Sequence, residues 1–327
     1  MSLQNIKISK AIILVGLGIV FLSSCFAISS REKDKQAYLH YLSGAISDGS
    51  NNIKQAIEQY KLVSKLDPDS AKVHLNLGTE YLKLNQIDSA LSELKSAINL
   101  DPDNLEARFL LALVYSSLKK NNEAAEHYEY ILKKQSEIEP DNIEVIMSLA
   151  QVYYQEKKIE QAIAQYRHLI KVAPDKAEAY LFLGELLSEA GDIDAGIINI
   201  KKALELKPDY PQAKNSLGYL YAEKDERLDE ALALIKEALN KDEDNAAYID
   251  SLGWVYFKKK LFDEAITQLE KAAMISEDPV IYEHLGDAYF AKGQYDKAEE
   301  KWQKALVIEP NQEKIKEKLN ALQRKTN

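Results

Sequence analysis

The stretch GTEYLKLNQIDSALSELKSAINLDPD, residues 78–103, contains the pattern that decides the fold. Gly78 is followed by Tyr81 three residues later, by a second small residue, Ala90, after twelve and by Leu94 after sixteen. A small residue on each of two antiparallel helices lets their backbones approach, and bulky neighbours one turn away fill the space beside them. The stretch therefore predicts a helical hairpin.

The same pattern recurs along most of the chain. Its first small residue returns at spacings of 34, 34, 38, 34, 34, 35 and 33, at Gly44, Gly78, Ala112, Ala150, Gly184, Gly218, Gly253 and Gly286. The third unit has four extra residues near positions 134–138, and in the sixth unit the second small residue, Ala231, comes one residue late. Similarity at a fixed period of this size is typical of stacked repeats, each of which buries its faces against its neighbours.

The prolines support this division. None of the eight lies inside a proposed helix; they are Pro68, Pro102, Pro140, Pro174, Pro208, Pro211, Pro279 and Pro310. A proline in a helix interior costs about 3 kcal/mol, so this placement favours the proposed boundaries. Aspartates follow five of the prolines, near where a polar side chain can cap the next helix.

With these residues in view, residues 37–310 resemble the tetratricopeptide repeat (TPR) over about eight units. The resemblance implies an all-α fold, a right-handed superhelical solenoid of hairpins whose concave face is lined by the first helix of each unit. Residues 311–327 are expected to form a capping helix and tail, because Ile315, Leu319 and Leu322 share one face of that segment.

In the family, the concave groove holds extended peptides or partner helices. When the groove positions of the family are carried over to this sequence, the resemblance implies a partner-binding groove. It is formed by Tyr41, Leu75, Phe109, Leu181, Tyr219, Asp250, Trp254, Phe257, Glu283, Asp287 and Phe290. Trp254 is the strongest candidate anchor, because other residues already supply the packing positions of its unit and an aromatic beside carboxylates can hold apolar or basic side chains. The alternative is that these side chains only fill contacts between neighbouring hairpins.

Two recognition modes known in the family are not expected. A carboxylate clamp needs a basic series, whereas Lys72, Asn76 and Lys83 cluster in one unit only. An asparagine ladder is also missing, since the position of Asn76 is taken in later units by Leu110, Ser148, Phe182, Ser216, Ser251 and His284. The sequence therefore leaves the partner unnamed.

The N-terminus predicts a secretory signal. A short basic segment is followed by an apolar stretch at residues 11–22 and then by Ser23, Ser24 and Cys25. The run from Leu22 to Cys25 resembles the lipobox of bacterial lipoproteins. That resemblance implies removal of residues 1–24, lipidation of Cys25 and a linker over residues 25–36. Phe26, where an aspartate would favour the inner membrane, implies an outer-membrane protein facing the periplasm. The alternative is an uncleaved anchor over residues 11–28, although a span usually needs about 20 apolar residues.

Composition and residue spacing argue against several function classes. The formal net charge is -10, which repels nucleic acid phosphates. The five histidines are far apart and none has a partner at metal-ligand spacing. No serine or cysteine lies in a recognisable nucleophile motif. We therefore expect no enzyme activity, no cofactor, no metal and no small-molecule substrate.

These observations together predict a membrane-tethered scaffold of the bacterial cell envelope that binds protein or peptide partners. It would serve assembly of an envelope, secretion, pilus or polysaccharide system. An alternative is a regulatory or substrate-presenting subunit of an envelope enzyme such as a glycosyltransferase or hydrolase. A third possibility is a purely structural tether.

Overall fold

The computed structural model describes residues 31–326, and every regular element in that range is an α-helix. The chain divides into two compact units between Glu139 and Pro140. The first unit contains three helix pairs: α1 (31–49), α2 (Ile53–Leu66), α3 (Ala71–Lys83), α4 (Ile87–Leu100), α5 (Leu105–Ser117) and α6 (Asn121–Ile138). The predicted leader and Cys25 lie outside the described residues. Residues 31–36, assigned above to the linker, already belong to α1.

The second unit contains five helix pairs and one further helix. The helices are α7 (Ile143–Gln155), α8 (Ile159–Val172), α9 (Ala177–Glu189), α10 (Ile193–Leu206), α11 (Pro211–Glu223), α12 (Leu228–Leu239), α13 (Ala246–Lys258), α14 (Phe262–Ile275), α15 (Pro279–Ala291), α16 (Tyr295–Ile308) and α17 (Glu313–Thr326). Within each unit helices pack in hairpins and against successive hairpins, as α3 with α4 and α4 with α5 do in the first unit and α9 with α10 and α8 with α9 do in the second. The predicted all-α fold of hairpin repeats is confirmed.

The small residues bring the two helices of a hairpin into contact as expected. A Cβ added at Gly286 would lie 2.4 Å from the Trp302 indole, and one added at Gly78 would lie 2.7 Å from the Leu94 side chain. In both pairs the bulky residue follows the small one by sixteen positions, as the pattern requires. A side chain at Gly78 or Gly286 would therefore force the partner helix to shift, because that helix occupies the space.

Each hairpin turn contains at least one residue in the left-handed region of backbone space. Glycine takes that conformation at Gly191 and Gly293, whereas the other hairpins use Asn51, Asn85, Lys119, Lys157, Asp225 and Lys260. The sixth hairpin has a second such residue, Arg227, immediately before α12. This longer turn explains why Ala231 comes one residue late in the sequence.

The helices that follow prolines start close to the prolines and the aspartates after them, as expected. The aspartates that follow prolines lie one residue before the N-cap rather than at it, and the cap itself is Asn104 in α5 and Asn142 in α7. The Asn104 side-chain oxygen accepts a hydrogen bond from the Ala107 backbone N–H at 2.9 Å. Pro211 and Pro279 lie at the first helical position, where the missing N–H has no intrahelical partner to lose.

The last helix, α17, packs on α16. Ile315 and Leu322 are buried there, and Leu319 is half-buried. The apolar face predicted for residues 311–327 therefore lies against the last hairpin, while residues such as Glu317 on the other side are exposed.

Candidate partner-binding face

The first helices of the hairpins in residues 140–327 form one surface, which we call the first-helix face. Three pairs of these helices contact each other directly: α9 with α11, α11 with α13, and α13 with α15. Side-chain hydrogen bonds join successive hairpins along it. The Ser216 hydroxyl donates to Glu185 Oε1 at 2.6 Å, and the Trp254 indole donates to Glu223 Oε1 at 2.5 Å. The face is therefore a connected network of polar and aromatic groups.

A large cleft opens at the N-terminal end of this face, between α7 and α9. We call it the α7–α9 cleft; its volume is about 960 Å³. Its apolar lining consists of Ile143, Met147, Tyr154, Tyr166, Phe182 and Leu186. Phe182 is 39% exposed and Tyr154 is 50% exposed, so both rings face solvent. Tyr166 is buried and stacks on Phe182 with ring centroids 5.5 Å apart, which fixes the position of the exposed ring.

The polar lining of the α7–α9 cleft contains four acidic residues and one basic residue. It consists of Asp141, Asn142, Glu144, Ser148, Gln151, Lys176, Glu185 and Glu189. Burial raises the pKa of the Glu185 carboxyl, and the hydrogen bond from Ser216 opposes that shift. Burial, with the Glu189 and Glu185 carboxylates, also raises the pKa of the Tyr154 hydroxyl. The cleft therefore has a negative potential on partly apolar walls.

A second, smaller cleft of about 390 Å³ continues from the first between α9 and α11. Glu185 and Glu189 line both clefts, and Tyr219 and Glu223 line the second. Tyr219 is half-buried; burial and the Glu223, Asp250 and Glu283 carboxylates raise the pKa of its hydroxyl, which stays protonated. The two clefts together give the face an open, acidic and aromatic stretch.

The Trp254 side chain is not free, contrary to the expectation from sequence. It is only 8% exposed and lies between the rings of His284, 4.1 Å away, and Phe257, 4.8 Å away. His284 belongs to the next hairpin, so the residues of the unit that contains Trp254 do not indicate that its ring is covered. The alternative considered above, packing between neighbouring hairpins, describes this residue correctly.

Asp250 and His284 form a buried pair beneath the tryptophan. Both side chains are almost fully buried, and His284 Nδ1 lies 3.0 Å from each Asp250 carboxylate oxygen. Burial by itself lowers the pKa of His284, but the adjacent Asp250 carboxylate, with Asp287 and Glu283, leaves it raised above the ordinary value. A protonated imidazole compensates the buried carboxylate, so this pair is a structural element of the face.

Glu283 and Asp287 are held by the C-terminal helix. Lys318 Nζ of α17 lies 2.6 Å from Glu283 Oε1 and 2.7 Å from Asp287 Oδ2, and the Trp302 indole donates to Asp287 Oδ1 at 3.0 Å. Burial raises the pKa of Asp287, and the Lys318 ammonium opposes this shift. The C-terminal end of the first-helix face is thus already occupied by a basic side chain of the chain itself.

The remaining predicted groove residues fall into three groups. Leu75 and Leu181 are 2% exposed and belong to the core, so their expected exposure on a groove is wrong. Tyr41, Phe257 and Phe290 are half-buried in aromatic contacts. Phe109 is 48% exposed, in the first unit. The structure brings Tyr219, Asp250, Trp254, Glu283 and Asp287 together around His284, with Phe257 on the other side of the Trp254 ring.

The sequence analysis did not select the residues that line the open part of the face, Phe182, Tyr154 and Glu189. A usable signal was present. Phe182 occupies a register position that serine holds in the units before and after it, at Ser148 and Ser216. The short serine side chains do not cover the Phe182 ring, so one face of the ring is left open to the cleft.

Two further observations concern residues 31–326 only. No group of three or more histidine, cysteine or carboxylate side chains there is arranged to hold a metal ion. None of the helices in this range combines the length and the apolar character needed to cross a bilayer.

Comparison with known families identifies the repeat. A model described as "TPR repeat" matches residues 78–119 and 150–191, and models described as "Tetratricopeptide repeat" match residues 177–210, 220–279 and 279–312. Together these ranges cover more than half of the chain. No curated protein sequence matches it significantly.

Several solved structures have a similar fold. A tetratricopeptide repeat protein from Parabacteroides merdae is 20% identical with a TM-score of 0.60, over 77% of this chain and 98% of that one. A chain of the APC/C hetero-tetramer Cut9–Hcn1 is 19% identical with a TM-score of 0.55, over 88% of this chain and 54% of that one. A thermophilic TPR protein of Thermus thermophilus is 21% identical with a TM-score of 0.50, over 55% of this chain and 98% of that one. Such repeats indicate a protein–protein interaction scaffold, and the chain belongs to the tetratricopeptide repeat proteins.

Proposed function

We propose that this protein binds protein or peptide partners along the first-helix face while a lipid on Cys25 tethers it to a bacterial membrane. One observation supports the binding surface above the others: the α7–α9 cleft is open, is continuous with the second cleft and exposes two aromatic rings. Exposed aromatic groups in a concave site are the usual anchors of protein interfaces. On this proposal the protein recruits partners and does not catalyse a reaction.

The binding surface is tested by photo-crosslinking in cells. A benzoylphenylalanine placed at Gln151, which lines the cleft, should capture a partner. The matched control is the same group at Glu160, an exposed position on α8 that lines neither cleft. Equal capture from both positions, or capture from Glu160 alone, would show that partners bind elsewhere.

The tether is supported by the sequence that ends in Leu22, Ser23, Ser24 and Cys25. Cys25 is the only cysteine, so Cys25→Ala should abolish labelling by a radioactive fatty acid and should block cleavage. One acyl chain gives only marginal membrane binding, so we expect the several chains of a mature lipoprotein. Label retained in the variant would contradict the tether, whereas a wild-type protein that is neither labelled nor cleaved would point to the anchor alternative.

The location we propose is the bacterial outer membrane, with the repeats facing the periplasm. There the scaffold would assist assembly of an envelope, secretion, pilus or polysaccharide system. The partner captured from Gln151 decides between this role and that of a regulatory or substrate-presenting subunit. An assembly component supports the scaffold, and a glycosyltransferase or hydrolase supports the subunit.

A further inference from the structure

We infer that the α7–α9 cleft binds a short partner segment in which an aromatic or large aliphatic side chain is flanked by lysine or arginine. This inference rests on the proposed function and names the class of partner. It places the binding site at Phe182, Tyr154, Glu185 and Glu189, away from the Trp254 region that sequence alone favoured.

The apolar part of the inference comes from the two exposed rings. Phe182 and Tyr154 project from neighbouring hairpins onto one cleft, and the buried Tyr166 supports the Phe182 ring from below. A ring that is held in place loses little conformational freedom when a partner covers it. An aromatic or large aliphatic side chain is the group that removes the most apolar surface from water there.

The charged part comes from unbalanced carboxylates. Within the described residues no basic side chain forms an ion pair with Glu144, Glu185 or Glu189. Asp141 pairs with His168, and Lys176 is the single lysine that lines the cleft. Burying these carboxylates under a neutral or acidic partner would leave them desolvated and uncompensated, whereas a cationic side chain compensates them.

The chain itself provides an example of this contact. Asp287 directly follows the small residue Gly286, just as Glu185 directly follows Gly184. In the eighth unit that carboxylate binds Lys318, a lysine on a helix whose neighbouring Ile315 is buried against the last hairpin. In the eighth unit, α17 thus places a basic and apolar segment on Asp287. In the part of the chain that the structure describes, the equivalent position in the fifth unit, Glu185, has no such segment over it.

The same charges disfavour other occupants. A phosphorylated or acidic segment would meet the cleft carboxylates, and a second copy of the chain carries a formal net charge of -10. Lys318 of α17 is not available to a second copy, because it already binds Glu283 and Asp287 of its own chain. A basic segment of a different protein fits the site best.

Binding is measured by fluorescence polarisation with the full chain lacking its leader. The probe is a fluorescein-labelled peptide with a central leucine–phenylalanine pair flanked on each side by two lysines. One control peptide carries glutamate in place of lysine, and another carries glycine in place of the central pair. We expect the probe to bind at least about tenfold more tightly than either control, and more weakly as salt is raised.

Protein variants locate the site. Phe182→Ala should raise the Kd of the probe at least about tenfold, whereas Ile198→Ala, an exposed aliphatic residue on α10, should leave it unchanged. Glu189→Gln should raise the Kd and reduce its salt dependence, whereas Glu160→Gln should do neither. Circular dichroism melting curves establish that each variant is folded.

Three outcomes would overturn the inference: equal binding of the glutamate peptide, no binding of the probe, or an unchanged Kd for folded Phe182→Ala. If crosslinking from Gln151 still captures a partner in these cases, the proposed function stands and only the partner chemistry is wrong. If crosslinking also fails, the first-helix face is not the binding surface.

Discussion

The Trp254 indole of one hairpin donates a hydrogen bond to Glu223 of the hairpin before it, with 2.5 Å between the two atoms. Lys258 lies over the same ring at 5.0 Å from its centroid, and His284 of the next hairpin stacks on it. One side chain therefore joins three successive hairpins. Its role in this structure is to hold neighbouring repeats together.

Replacing Trp254 by alanine should lower the free energy of unfolding by about 3 kcal/mol, because the change leaves a cavity and removes two ring contacts. Trp254→Phe keeps a ring and loses the donated hydrogen bond, so it should cost only about 1 kcal/mol. Urea denaturation measures both. A Trp254→Ala protein as stable as the wild type would show that the indole is not packed and would restore it as a free anchor.

The Asp250–His284 pair should make stability depend on pH. The pKa of His284 is raised in the folded protein, so its contribution is complete below the ordinary value of 6.5 and is lost as the pH rises through the folded-state pKa. The carboxylates of Asp250, Glu283 and Asp287 favour the charged ring, with burial opposing them. Urea denaturation of the wild type at a series of pH values should therefore show a loss of stability as the pH rises above 6.5.

The variant His284→Gln cannot titrate and should show a flatter pH profile, although it is less stable at every pH. His168→Gln serves as a matched control, since His168 lies on the surface beside Asp141. It should keep the wild-type profile. Identical slopes for the wild type and His284→Gln would mean that this histidine does not change its protonation on folding.

Deleting residues 312–327 should lower the melting temperature and promote association. The deletion uncovers the surface on which Ile315 and Leu322 are buried, and each such side chain contributes about 1.5–3 kcal/mol. It also removes the Lys318 cation from Glu283 and Asp287. Differential scanning calorimetry and light scattering would measure the two effects.

Point substitutions on α17 distinguish the effect of its buried contacts from the effect of removing the whole segment. Ile315→Ala should cost about 2–5 kcal/mol, whereas Glu317→Ala on the exposed side should change stability by less than about 0.5 kcal/mol. Unchanged melting after the deletion would mean that this segment is a dispensable tail rather than a cap.

Adding one methyl group at Gly286 should destabilise the last hairpin. Gly286→Ala places a Cβ 2.4 Å from the Trp302 indole, and overpacking of this kind costs about 1–3 kcal/mol. Gly49→Ala is the matched control, because no atom lies within 4 Å of a Cβ added there. Gly49 ends α1, so that change should be neutral or slightly stabilising. Equal melting curves for the two variants would contradict the close approach.

The fold was predictable because its signal is local and repeated. Small and bulky residues sixteen positions apart, such as Gly78 and Leu94, meet inside one hairpin, so sequence spacing alone determines their contact. The apolar face of α17 was predictable for the same reason. The aspartates after the prolines indicated the helix starts to within one residue, since N-caps such as Asn142 directly follow them.

The site was less predictable because its contacts join different hairpins. Trp254 is covered by His284, thirty residues further along the chain, and no spacing rule within one unit reveals that cover. Conversely, Phe182 remains exposed because short side chains flank its register position in the neighbouring units. The exposure of a side chain on a repeat surface depends on the residues that hold the same position in the neighbouring units. Spacing within a single unit does not contain this information.

The left-handed residues at the hairpin turns have a consequence for engineering. Lys119, Lys157 and Lys260 adopt a conformation that costs a residue with a Cβ about 1–2 kcal/mol relative to the right-handed one. Glycine, already present at two equivalent turns, avoids this penalty, although its greater freedom in the unfolded chain offsets part of the gain. Replacing each of these three lysines by glycine should therefore raise the thermal stability of its hairpin, so the turns offer sites for stabilising the repeats one at a time.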